Sequence, residues 1–272
     1  MASTTNYSAA NGGDRRAVES RDEEQPLLGR SGSRKRSLRD YLVVDVCRDW
    51  ADLVLLLCYI VTGMLDSASI STWGSFVSMQ TGNTVYFGLG IAAPHESTRW
   101  IKSGTSLGFF CIGSVFFSYF HRTFSPKRRW VLCASFMIQT SFIIAAAAIL
   151  SFGPISENPK EAIGWPELLP IALIAFQSCG QAVISRALKY NALTSVVLTS
   201  IYCDLFSDAS LLAVHNVERN RRVAAPVLLF LGAVLGGVLA RSSVGTAGVL
   251  WITAALKLSV IVAWFFWPDE KE

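Results

Sequence analysis

Charge is scarce in this sequence: 16% of its 272 residues are Asp, Glu, Lys or Arg, while 51% are hydrophobic. A soluble globular domain carries nearer a quarter charged residues, so an ordinary soluble enzyme is excluded. So much apolar side chain equally excludes a disordered regulator. The few charges are unevenly placed. Residues 1–48 hold 16 of the 44, nine basic and seven acidic. Elsewhere the basic residues sit at the ends of apolar segments and form no stripe, so nucleic acid is not an expected partner. Histidine is scarcer still. His95, His121 and His215 stand far apart, with no H-E-x-x-H and no zinc spacing. Cys47, Cys58, Cys111, Cys133, Cys179 and Cys203 contain no C-x-x-C and fall mostly within apolar segments. Free, packed thiols are therefore expected, without disulfides. G-x-S-x-G, the P-loop and the dinucleotide fingerprint are all missing. We expect no enzyme activity, no metal and no cofactor.

The N-terminal region also lacks things. Met1 is followed by Ala2, so there is no myristoylation glycine. The first long apolar run starts near Leu53, too late for a secretory signal peptide. Residues 1–37 are rich in Ser, Gly, Asn, Arg and Glu and cannot bury enough surface to offset ordering entropy, so they read as a disordered cytoplasmic tail. Within them Glu23 stands four residues before Leu27-Leu28. This is the acidic dileucine pattern, and it points to sorting adaptors as partners and to a vacuolar or lysosome-like membrane. Arg30, Arg34, Lys35, Arg36 and Arg39 form a basic cluster suited to an anionic cytoplasmic leaflet. Residues 38–48 read as an interfacial linker or short helix.

What the sequence does have is long apolar runs. Each is close to the roughly 20 residues that span a bilayer. The candidates are residues 50–71, 76–93, 103–120, 130–152, 168–185, 193–214, 223–240 and 246–267. The expected fold is all-α, a polytopic helical membrane protein of six to eight hydrophobic helices over residues 49–268. The lipid bilayer is its first partner. Basic loops mark the cytoplasmic side. The tail and the loop with Arg122, Lys127, Arg128 and Arg129 are both basic, yet three segments lie between them. One of those three should not cross. The same reasoning applies to the sixth segment, flanked by Arg186 and Lys189 before it and by Arg219, Arg221 and Arg222 after it. Six crossings result, with broken or re-entrant second and sixth segments and a cytoplasmic N-terminus. Those two segments are also the most polar. Corresponding features recur about 118 residues apart: Thr81 and Thr199, Gly113 and Gly232, Arg122 and Arg241. This spacing implies an internal duplication, with repeats at 49–152 and 167–268. Three crossings per repeat would invert one relative to the other, as in many secondary transporters.

Candidate chemistry lies where polar groups fall inside these runs. Gln80-Thr81-Gly82-Asn83-Thr84 offers hydroxyls, amides and a glycine at which a helix can break. The same residues could instead hold helices together. Asp66, after Gly63, is a carboxylate inside a span. It would be protonated, bind a cation or pair with a base, or else it ends the first helix at the interface. Lys257 is the single mid-span lysine and a candidate partner for it. Asp204 and Asp208 share a helix face and read as a cation site or a solvated helix end. Asp49 and Asp52 read as solvated. Gln177 and Gln181, with Thr199, would line the same cavity as the Thr-Gly-Asn block. Gly232 and Gly236 form a G-x-x-x-G packing face.

Thr62-Gly63-Met64-Leu65-Asp66 followed by residues 76–85, Phe-Val-Ser-Met-Gln-Thr-Gly-Asn-Thr-Val, resembles the YoaK-like family of uncharacterised polytopic membrane proteins. Ala175-Phe176-Gln177 and residues 194–200 resemble the family's second block. The chain departs there, with Gln177-Ser178 and Thr199-Ser200 where the family has Gln-Asn and Thr-Gly. The resemblance implies six or seven spans and supplies no substrate. Two readings of function follow from the residues. The first is a small secondary transporter or channel for a polar or ionic solute. The alternative is a non-transporting scaffold or lipid-binding protein.

Overall fold

The computed structural model describes residues 37–270, apart from Ile155 and Ala192. Glu23, Leu27 and Leu28 of the sorting pattern, and the basic run Arg30–Arg36, lie outside the described residues. Among the described residues the regular structure is helical: α1 Leu38–Val43, α2 Ala51–Trp73, α3 Gln80–Ala92, α4 Arg99–Phe124, α5 Arg129–Phe152, α6 Trp165–Ala187, α7 Thr199–Phe206, α8 Val217–Arg241 and α9 Gly245–Phe265. Six of them, α2, α4, α5, α6, α8 and α9, are long and apolar enough to cross a bilayer. The chain is a multi-pass integral membrane protein. The second and sixth apolar segments contribute the short helices α3 and α7.

Local sequence explains several boundaries. Gly74 adopts φ +80° and closes α2, its N–H donating to the Ile70 carbonyl oxygen. Only glycine takes that conformation cheaply. Pro166 starts α6, where a missing N–H costs nothing, and Glu167 accepts from the Gly164 N–H at 3.1 Å. Asn216 caps α8 through the Arg219 N–H at 2.9 Å.

The long helices pack in three main pairs. α2 packs on α8, α4 on α6 and α5 on α9. Exchanging the two halves maps each of these pairs onto another of them or onto itself. α2 and α6 are the most buried spans, and their partners α8 and α4 are the least. The close approaches match too. A Cβ on Gly113 would collide with the Phe176 carbonyl, and one on Gly232 with the Ile60 carbonyl. Gly63 likewise has no room for a methyl group against Leu229. Backbone contact of this kind is how helices associate when lipid removes the hydrophobic driving force.

Two faces can be told apart. The near face holds both described ends of the chain. Val46 pairs with Asp269 in an antiparallel bridge, and Asp45 with Arg128. The far face holds the α2 end, the α5–α6 loop and the start of α9. There the Thr72 and Thr246 hydroxyls lie 2.6 Å apart, and Lys102 donates to the Pro159 and Lys160 carbonyls.

Two near-face residues depart from expectation. Asp52 is buried, not solvated, and is paired with Arg221 at 2.7 Å. Arg129, expected in a basic loop, has no exposed surface. Its guanidinium donates to the Tyr41 and Trp267 carbonyls and pairs with Asp269 at 2.6 Å. A basic loop residue thereby becomes the clamp between α1 and the C-terminal segment.

Candidate functional site

The break in the second segment lies before Gln80, not within Gln80–Thr84: Gly82 is helical in α3, and residues 74–79 are the irregular stretch. After α2 reaches the far face, these residues fold back to the level of Asp66. Asp66 Oδ1 accepts the Val77 and Ser78 N–H groups at 2.8 and 2.9 Å, and Oδ2 accepts the Ser78 hydroxyl. Asn83 completes the latch. It accepts from the Phe76 N–H at 3.0 Å and donates to the Phe76 carbonyl at 2.7 Å, to Gln80 Oε1 and to Ser106 Oγ. α3 then runs back along α4 to the far face, where Gly90 meets Trp100. The segment is re-entrant. Bare backbone at membrane depth needs such partners, because no water reaches it.

The sixth segment mirrors this from the near face. Residues 188–191 and 193–198 fold inward, and the Ser195 hydroxyl accepts from Gln181 Nε2 at 3.2 Å. The short α7 then returns outward. Each tip is held by the opposite half. Ser178 of α6 donates to the Val77 carbonyl at 2.9 Å, and Tyr59 of α2 hydrogen-bonds the Ser195 backbone. Val77 and Ser195 are 118 residues apart, and Tyr59 and Ser178 are 119 apart.

Between the tips lies a polar layer near the midpoints of the spans. Two of its bonds join residues that are each other's counterparts in the repeat. Gln181 Nε2 donates to Thr62 Oγ1 at 3.0 Å across 119 residues of sequence. Lys257 Nζ donates to Gln139 Oε1 at 2.7 Å across 118. If the two halves are repeats, a pseudo-two-fold axis passes through both contacts. Lys257 also donates to Gln177 Oε1 at 2.5 Å. It is fully buried and makes no ion pair among the described residues. Gln177 Nε2 and Gln181 Oε1, one helical turn apart on α6, are buried without a partner. That leaves one donor and one acceptor facing the layer, both unfilled, which is unusual for buried polar atoms.

The structure thus brings Asp66, Gln80 and Asn83 into one cluster and Gln177 and Lys257 into an adjoining one. Ser178 lies beside Gln177 and joins the two. It does not pair Asp66 with Lys257, as the sequence reading allowed. Thr81 and Thr84 are exposed, and the Thr84 hydroxyl bonds back to the Gln80 carbonyl at 2.8 Å. Gly82 sits against the Phe76 ring. Thr199 and Asp204 are exposed on α7, away from the layer. Asp208 forms no acidic pair with Asp204. It accepts from the Ser210 N–H at 2.8 Å and from Asn216, and lies 3.4 Å from Arg222. The Ser210 N–H chiefly, with Asn216 and Arg222, holds its carboxyl below the usual range. Gln139, Ser78, Ser106 and Ser135 were missed in the sequence reading. For Gln139 a signal exists, its 118-residue separation from Lys257.

A family model described as a protein of unknown function, DUF1275, matches residues 54–263. No curated protein and no solved structure matches the chain significantly.

Proposed function

Since this chain belongs to the DUF1275 family, whose description assigns no function, its role must come from its own residues, and we propose that it is a small secondary transporter or channel for a polar or ionic solute. One observation carries the reading. Two inward-folding tips, at Val77 and Ser195, enter from opposite faces and dock one turn apart on α6, at Ser178 and Gln181. Beside them lies a buried lysine with no carboxylate. Discontinuous segments meeting at the midplane of inverted repeats are the arrangement in which membrane proteins build solute sites.

In this reading Gln177, Gln181 and Lys257 face the solute, while Asp66, Gln80 and Asn83 position the far-face tip. Thr81, Thr84, Thr199 and Asp204 have no contact role. No enzymatic step is assigned. Within the family we keep the YoaK-like identification on Thr62–Asp66 and Gln80–Thr84. The N-terminus is placed in the cytoplasm, where Glu23, Leu27 and Leu28 would meet sorting adaptors of a vacuolar or lysosome-like membrane.

Lys257→Met separates this reading from a purely structural one. The substitution takes a donor away from the buried Gln139 and Gln177 Oε1 atoms, so a cost of about 1–3 kcal/mol for each is expected, and only transport separates the two readings. The variant, purified into liposomes, should still fold, with a lowered Tm, while losing solute-driven current across a panel of small charged and polar solutes. Equal currents in folded Lys257→Met protein would remove Lys257 from the mechanism. A panel that drives no current in wild-type protein would favour the scaffold alternative.

A further inference from the structure

A cavity of about 520 Å³ opens at the near face, between the last turns of α4 and α6. His121, Arg122 and Arg186 line it with Pro126, Val183 and Ala187, and its lining contains no carboxylate. Both arginines are exposed. Arg122 Nε donates to the Ser118 carbonyl at 3.2 Å, which leaves its terminal nitrogens free. The Arg186 guanidinium has no hydrogen bond or ion pair among the described residues. His121 is different in kind. It is 3% exposed, its Nε2 lies 3.1 Å from Ser135 Oγ, and its Nδ1 is buried without a partner.

The bonds behind His121 select one tautomer when the Ser135 hydroxyl donates to it. An ammonium can only donate, so Gln139 turns Oε1 to Lys257. The Gln139 amide nitrogen then donates to Ser135 Oγ at 3.4 Å. Ser135 keeps its own hydroxyl proton and gives it to His121 Nε2. A neutral imidazole that accepts at Nε2 carries its proton on Nδ1. In that tautomer four donors follow one another from Lys257 through Gln139 and Ser135 to His121, which lines the cavity, and aligned bonds of this kind polarise one another. Two helix C-termini end nearby and by themselves repel an anion. The two unpaired guanidinium groups reverse that field.

We propose that this cavity binds a phosphate-type oxyanion, held by the His121 Nδ1–H and the guanidinium groups of Arg122 and Arg186. Arginine's planar fork matches such oxygens in pairs. The chemistry is shared by a phospholipid headgroup, whose glycerol and acyl carbons would lie on Pro126, Val183 and Ala187, and by free phosphate. The inference does not depend on transport through the axial layer.

Thermal unfolding of the full-length protein in phosphatidylcholine nanodiscs tests it. The two probes are inorganic phosphate in the buffer and phosphatidic acid in the disc. At least one should raise Tm, and each arginine replaced in Arg122→Ala/Arg186→Ala should weaken that probe on the order of tenfold. A shift with phosphatidic acid alone assigns the site to a headgroup, and with phosphate alone to a soluble anion. His121→Phe should abolish the shift, while His121→Asn, which keeps a donor, should retain part of it. If His121→Phe does not fold, the surface arginine pair still decides. No shift with either probe overturns the proposal. So does an undiminished shift in the double arginine variant, which would place binding on other basic residues.

Discussion

A carboxylate inside a membrane helix needs a reason, and Asp66 has three: two N–H groups and one hydroxyl of a loop that would otherwise be bare backbone in lipid. Its carboxyl group is a fastener here, because it offers the buried loop the acceptors that lipid cannot. Asp66→Ala leaves the Val77 and Ser78 N–H groups buried and unpaired. The expected cost is roughly 2–6 kcal/mol, at about 1–3 kcal/mol for each of the two orphaned N–H groups. Asp66→Asn keeps one accepting oxygen and should lose less. Thr81→Ala, on the exposed side of the same block, should stay within about 0.5 kcal/mol of wild type. Thermal unfolding of the purified variants gives the ranking, and an Asp66→Ala protein as stable as Thr81→Ala would refute the latch. Lys257 stands in contrast. Its partners are amides, which satisfy an ammonium without neutralising it, so its charge remains available to something else.

At the scale of elements, α2 and α8 are held at a separation that only glycine allows. A methyl group on Gly63 would enter the Leu229 carbonyl, and one on Gly232 the Ile60 carbonyl, whereas Gly237 on the same helix faces open space. Gly63→Ala and Gly232→Ala should each destabilise by about 1–3 kcal/mol, the usual penalty of overpacking. Gly237→Ala should be neutral or stabilising, since alanine is the better helix former by roughly 1 kcal/mol. Urea or thermal unfolding in detergent checks the order. Equal effects at Gly232 and Gly237 would show that α2 and α8 do not touch as described. The short helices follow another logic. α3, of 13 residues, and α7, of 8, are too short to cross. Each is anchored by polar bonds at its buried end.

For the whole molecule, the fold requires that residues 93–98 and 158–161 share one face and that residues 125–128 and 207–216 share the other. Single cysteines at His95, Asn158, Ser125 and Ser210, in a background without the six native ones, should label from opposite sides of a sealed vesicle in that pairing. Labelling of His95 and Ser125 from the same side would break the six-crossing arrangement. The spans were legible in the sequence because lipid demands an unbroken apolar run and basic loops mark one side. The place of the second break was not. Gly82 drew attention to itself, yet the chain turns at Gly74 and through residues 75–79, whose support comes from Asp66 on the preceding helix. Side chains that accept from a loop eleven and twelve residues later leave no periodic trace. Gln139 was invisible as well, because an amide within an apolar run looks like helix glue until its partner 118 residues on is known. That pair limits how the molecule arose. An antiparallel dimer of identical subunits would carry one residue type at both positions facing its axis. Lysine there would set two ammonium groups against each other without counter-ions. If the halves arose by duplication, joining them in one polypeptide would have freed the two positions to differ, and a solitary lysine on the axis would belong to the fused chain, with no counterpart in a symmetric ancestor.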